Sequence, residues 1–243
     1  MNDEALAQQI AQTAGELLLG LQRCGLFEGK QLGQAGDRVA NAFIMEALAA
    51  QRPNDAVLSE EEKDKPSRLS AERVWIVDPL DGTREYGERR TDWAVHVALA
   101  VNGTAMVGSV ALPGIPLTIN SAAVKLAAPK DGLLRMLVSR TRPAAEAVAV
   151  AKRLGAELVP MGSAGAKAMA VVRGEAEIYL HSGGQYEWDS CAPVAVARSA
   201  GLHVSRIDGS ALVYNQPDVY MPDLLITRRE LAPAVFDALR SSG

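Results

Sequence analysis

The chain has 243 residues, 48% hydrophobic and 22% charged, a globular composition able to bury a real core in one large domain or two intimate halves. A formal net charge of −4 and a pI near 5.5 provide no overall field to gather a polyanion, which argues against a nucleic acid polymer as partner and leaves any anionic substrate to local devices. Cys24 and Cys191 are too few for a disulfide framework, Asp3 and Glu4 stand where a signal peptide carries Lys or Arg, and no apolar run approaches the roughly 20 residues of a bilayer span, so the reading is cytoplasmic with no membrane partner.

Leu6, Ile10, Ala14, Leu17 and Leu21 recur at helical spacing and predict an amphipathic helix ending near Gly25. A second helical pattern runs from about Asp37 through Phe43, Ala47 and Leu48 and stops at Pro53, whose ring cannot continue the backbone ladder. The period then becomes two. Val74 to Val77 is a short β-branched run ending at Asp78-Pro79, and Val95, Val97, Leu99 and Val101 alternate with smaller or polar partners up to Asn102-Gly103. Asn-Gly supplies the positive φ angles of a tight hairpin, so 104–112 should return antiparallel beside the first strand. Residues 117–138 read as further short strands. Beyond Arg140 the pattern alternates: helix over 143–154, strand near Leu158, helix over 163–172, strand over 177–180, helix from about Trp188 closed by Gly201, strand, and a last helix over 231–239. No repeat or linker intervenes. A boundary near residue 135 separates an N-terminal α+β subdomain, 1–135, from a C-terminal α/β subdomain, 136–243.

The most informative stretch is Val74-Trp75-Ile76-Val77-Asp78-Pro79-Leu80-Asp81-Gly82-Thr83. A hydrophobic strand delivers Asp78 to its end, Pro79 stiffens the exit, and Gly82 permits a sharp turn with exposed backbone N–H groups. Two carboxylates about 4 Å apart repel by roughly 4 kcal/mol at an effective dielectric near 20, so such a cluster makes sense around a cation. All-oxygen ligands favour a hard ion, Mg²⁺ first. A lone Asp-Gly pair is usually only a turn, but that reading leaves the strand, the second acid, Pro79 and Thr83 unexplained. Asp78 and Asp81 are three apart, whereas the haloacid dehalogenase nucleophile motif places its acids two apart, and no acids alternate before Gly82 as an EF-hand loop requires.

Asp78-Pro79-Leu80-Asp81-Gly82-Thr83 resembles the D-P-[LI]-D-G-T signature of the inositol monophosphatase-like superfamily, Leu58-Ser59-Glu60-Glu61 its upstream acidic pair, and Trp188-Asp189 through Ala200-Gly201 its downstream Trp-Asp motif. The resemblance implies an α/β fold, the layered αβαβα sandwich of that superfamily, in a homodimer. It implies that Glu60, Asp78, Asp81, Asp189 and the Leu80 carbonyl bind two or three Mg²⁺ ions, with lithium sensitivity as a family trait. It further implies that Asp37 and Thr83 activate the attacking water while the Gly82 and Thr83 amides hold the phosphate. The chain departs from the family in carrying Gly36 before Asp37, where members usually have Ala.

Asp81-Gly82-Thr83-Arg84-Glu85-Tyr86 is closer to the D-G-T-[KR]-E-[FY] form of 3′(2′),5′-bisphosphate nucleotidases than to the form found in inositol monophosphatases. Gly162-Ser163-Ala164-Gly165-Ala166-Lys167 is similar to their substrate loop, with Ala164 replacing a Ser and one extra residue before the Lys. The Trp93 to Val97 strand and the 183–189 run resemble those of actinobacterial CysQ-type enzymes. The implied substrate is adenosine 3′,5′-bisphosphate, possessing a second phosphate that Arg84, Arg89, Arg90, Arg140, Arg142, Ser163 or Lys167 could meet, although Arg and Lys more often belong to solvated faces. Inositol 1-phosphate and fructose 1,6-bisphosphate remain alternative substrates, and a non-catalytic metal-binding relative is a third reading. Of three histidines, His96 and His203 fall on strand patterns and read as structural, and His181 precedes a Ser-Gly-Gly turn beside the candidate pocket.

Overall fold

The computed structural model describes residues 1–241. Helix α1 (Asp3–Cys24) starts on Asn2, whose side chain accepts from the Ala5 amide, and ends at Gly25 in the left-handed conformation, as its capping residues dictate. Helix α2 (Gly29–Gln51) begins eight residues before Asp37, which therefore sits inside the helix and not at its start. The early turns escaped the sequence reading because Gly29, Gly33 and Gly36 break the apolar period. The function of Gly33 and Gly36 is close approach: a β-carbon at Gly33 would stand 2.6 Å from Thr83 Cγ2, and one at Gly36 would stand 2.8 Å from the Tyr86 ring and 3.0 Å from Leu18 and Leu80. The departure from Ala at position 36 thus has a packing reason.

Five strands follow: β1 (Ala56–Ser59), β2 (Arg73–Asp81), then, after the single-turn helix α3 (Thr83–Gly87), β3 (Ala94–Val101), β4 (Thr104–Leu112) and β5 (Leu117–Asn120). They form one sheet in that order, parallel between β1 and β2 and antiparallel elsewhere. The Asn102-Gly103 hairpin turns as expected, with φ of 49° and 76°. Strand β2 runs beyond Asp78 to Asp81 through a register break: Asp78 faces His96 and Asp81 faces Ala94, so three steps on β2 match two on β3. Pro79, lacking an N–H, lies inside this bulge, where no ladder bond is required of it.

The second sheet contains β6 (Arg135–Ser139), followed by helix α4 (Ala145–Leu154), β7 (Glu157–Met161), helix α5 (Ala164–Val172), β8 (Ile178–Tyr186), helix α6 (Glu187–Ser199), β9 (His203–Ser205), β10 (Tyr220–Thr227) and helix α7 (Ala232–Arg240). Its order is β7-β6-β8-β10-β9. Two expectations are corrected. Residues 121–134 form no strand, and β8 continues to Tyr186, because β10 pairs with it past the Ser182-Gly183-Gly184 segment that carries no apolar signal.

Period-two alternation builds the layers. Trp75, Val77, Val95, Val97 and Leu99 face α1 and α2, while Val74, Ile76, Ala94, Ala98 and Ala100 face α5 and α6. Across the central helices, Tyr179, Leu224 and Ile226 of the second sheet join the same core, and Met136, Val138, Ile178 and Leu225 turn outward to α4 and α7. The result is an αβαβα sandwich whose two sheets share a helical middle layer.

Candidate active site

The β2 bulge aims two aspartates at the middle layer, and the first turn of α6 supplies a third. Ligand atoms of Asp78, Asp81 and Asp189 all lie within 4.8 Å of one another. Asp78 is buried, with its Oδ1 accepting from the Leu80 amide. Burial and the charges of Glu60, Asp81 and Asp189 hold its pKa well above the usual carboxylate range. Asp189 is lifted to about 7 by burial and by Asp81, against a hydrogen bond of 2.7 Å from the Tyr186 amide. Glu60, one residue beyond β1, is also lifted to about 7, by burial and the charge of Asp189. Because Glu60 keeps an exposed surface, the neighbouring charge is the firmer cause there. Four mutually repelling carboxyls with few protein cations among them are the donor set of a hard divalent ion, so the residues fit Mg²⁺.

Asp81 differs from its neighbours. Its carboxylate receives Ser163 Oγ at 2.7 Å and the amides of Ala164 at 3.1 Å and Gly165 at 2.6 Å, the N-terminus of α5. Burial pushes its pKa up, but His96, the Gly165 amide and Lys167 outweigh burial and hold it at about 2. Asp81 therefore locks the first sheet to α5 as well as facing the cluster. Ser163, the N-cap, is held at φ 27°, a strained left-handed value for a residue with a β-carbon.

His96 is the residue that sequence reasoning underrated. It is fully buried in β3, with Nδ1 3.0 Å from the Trp188 carbonyl and Nε2 3.2 Å from Asp81 Oδ2, a charge contact whose alignment falls short of a hydrogen bond. A carbonyl only accepts, so Nδ1 carries a proton. Burial alone would depress the imidazole pKa, yet Asp81 raises it. Gly165 makes the approach feasible: a β-carbon there would stand 2.1 Å from Nε2. The glycine at position 165 is thus one that His96 requires.

Thr83 Oγ1 stands 3.2 Å from both Asp37 Oδ1 and the Leu80 carbonyl. One hydroxyl proton cannot serve two acceptors, so the triad settles fully only when Asp37 is protonated or a further donor arrives. Burial, then the charge of Glu61, lifts Asp37 to about 7. Asn41, one turn further along α2, was not anticipated. It receives the Ser59 hydroxyl at 2.8 Å and donates to Glu62 at 2.7 Å, pinning the turn that carries Glu60.

The cluster opens into a cavity of about 280 Å³ whose lining includes Asp81, Gly82, Ser163, Lys167, His181 and Asp189. Among the other expected contacts, Arg84 pairs with Glu88, Arg90 with Asp92, and Arg140 with both Glu85 and Glu88, while Arg89 donates to the Gln22 carbonyl. Glu85 thus anchors Arg140. Lys167 is buried, with Nζ donating to the Gly162 and Ser163 carbonyls at 2.6 and 2.7 Å, and burial lowers its pKa to about 8. Among the described residues no helix is long and apolar enough to cross a membrane.

The profile described as "Inositol monophosphatase family" matches residues 3–242. A 3′-phosphoadenosine 5′-phosphate phosphatase of Mycobacterium leprae is 47% identical, with 99% of this chain and 94% of that protein covered. The 3′(2′),5′-bisphosphate nucleotidase CysQ of Escherichia coli is 30% identical, with 77% and 81% covered. Among solved structures, CysQ from Bacteroides thetaiotaomicron superposes with a TM-score of 0.80 at 25% identity, covering 93% of this chain and 97% of that one.

Proposed function

The chain belongs to the inositol monophosphatase family, and from that premise we propose that it is a Mg²⁺-dependent phosphatase removing the 3′-phosphate of adenosine 3′,5′-bisphosphate to leave AMP and inorganic phosphate. The observation that carries the proposal is the convergence of Asp78, Asp81 and Asp189, two of which, Asp81 and Asp189, line a cavity that Ser163, Ala164 and Lys167 at the start of α5 also line. Glu60, Asp78, Asp81, Asp189 and the Leu80 carbonyl would hold two or three ions. Bound there, Mg²⁺ would supply charge neutralisation on the phosphate oxygens and acidify the attacking water.

The remaining work falls to the chain itself. Asp37, ionised in part near neutral pH, accepts a proton from water through or beside the Thr83 hydroxyl. The Gly82 and Thr83 amides, at the start of α3 where first-turn N–H groups have no intrahelical partner, orient the phosphate. Asp81, already bonded to α5, couples the position of the metal cluster to that of the substrate loop. The proposal includes a cytoplasmic location, a homodimer and inhibition by lithium, all following the family resemblance.

The test is product analysis. Incubation with adenosine 3′,5′-bisphosphate and Mg²⁺ should release phosphate and AMP in equal amounts, and EDTA should abolish the release. Turnover that persists in chelator, or an acid-stable phosphoenzyme, would overturn the mechanism.

A further inference from the structure

Among the described residues, the cavity beside the aspartates contains one arginine whose charge no carboxylate takes up. Arg84 and Arg140, both in its lining, are taken up by Glu85 and Glu88, and Lys167 gives two of its three protons to backbone carbonyls. Arg142 is different. It lies in the loop between β6 and α4 and lines the same cavity. Among the described residues its guanidinium has no ion pair and no hydrogen bond; only its backbone amide is engaged, by Ser139 Oγ.

Its placement is built. Gly183 and Gly184 turn left-handed at φ 76° and 73°, and a β-carbon on Gly184 would stand 3.4 Å from an Arg142 guanidinium nitrogen. The Gly184 amide donates to the Tyr220 hydroxyl at 3.2 Å. His181, whose Nε2 lies 2.8 Å from the Gly183 carbonyl, feels the same positive charge: burial, then Lys167 and Arg142, depress its pKa to about 4. A neutral histidine, an unpaired guanidinium fork and an ammonium, with Asp81 and Asp189 in the same lining, form a cavity polarised for a ligand with two anionic groups.

We propose that Arg142 receives the second phosphate of the substrate, the 5′-phosphate in the adenosine case, and that this contact selects bisphosphates over monophosphates. The inference rests on the phosphatase reading above and names the residue for its specificity. An Arg fork matches a phosphate bidentately, and a hydrogen bond to a charged group is worth roughly a tenfold to hundredfold change in affinity.

The test compares kcat/KM for adenosine 3′,5′-bisphosphate and adenosine 3′-monophosphate in the wild type, Arg142→Gln and Arg142→Lys. Arg142→Gln should lose about tenfold to hundredfold on the bisphosphate, mainly in KM, and at least tenfold less on the monophosphate, with Arg142→Lys recovering part of the loss. Equal losses on both substrates, or none on the bisphosphate, would overturn the assignment. A wild type that cleaves inositol 1-phosphate but neither nucleotide would overturn the nucleotide reading itself, and the inference with it.

Discussion

Asp37 shows how a residue's role depends on where its helix begins. Had α2 started at Asp37, the carboxylate would be an N-cap that Asn replaces at little cost. It lies instead one turn inside the approach of Gly33 and Gly36 to Thr83 and Tyr86, with its pKa raised to about 7. Asp37→Asn should therefore lower kcat by about 10²–10⁴, the range of a general base, while the melting temperature stays level or rises because a desolvated charge is gone. Steady-state kinetics with a thermal melt check this. A stable variant within threefold of wild-type kcat contradicts the assignment. The acids Asp78 and Asp81 were legible because their spacing, Pro79 and Gly82 are local. His96 was not, since strand periodicity says only that it is buried, and its partner Asp81 arrives through pairing with β2 and a cap contact 84 residues away at Gly165.

Among the elements, the ends of α1, α2, β1 and β2 meet in one charge network at the far end of β2 from the bulge. Arg73 donates to both oxygens of Asp55 at 2.9 Å and reaches Asp3, Arg52 also pairs with Asp3, and the buried Trp75 donates its indole N–H to Asp55 at 2.9 Å. Burial alone would raise the Asp55 pKa, but the bonds from Arg73 and Trp75 win and lower it. A depressed folded pKa contributes stability that is fully present above the unfolded carboxylate value and lost as pH falls through the folded one. Asp55→Asn should thus destabilise by about 1–2 kcal/mol at pH 7, a figure discounted for the partial exposure of Arg73. The deficit should shrink below about pH 4. Denaturant melts at pH 7 and pH 3 read it directly, and an unchanged deficit would show that packing, not charge, carries the loss. None of these pairs was visible in sequence, because each joins segments whose registers only the sheet decides.

At the scale of the whole molecule, apolar periodicity was enough to find most helices and strands, since the outer helices hide one face and the central strands β2 and β3 hide two. It failed where small residues carry the packing, at the start of α2 and along β8. We propose that the two sheets act as subdomains meeting at the aspartate cluster, with Asp81 bonded to α5 across the divide and Asp189 offered from the shared middle layer. In this view metal and substrate wall move together, and the choice of alcohol belongs to the C-terminal loops. The most direct measurement is kcat/KM for adenosine 3′,5′-bisphosphate and for inositol 1-phosphate at equal Mg²⁺. The account predicts a preference for the bisphosphate of at least about tenfold, which requires only about 1.4 kcal/mol of differential transition-state binding. An equal or reversed ratio would contradict it.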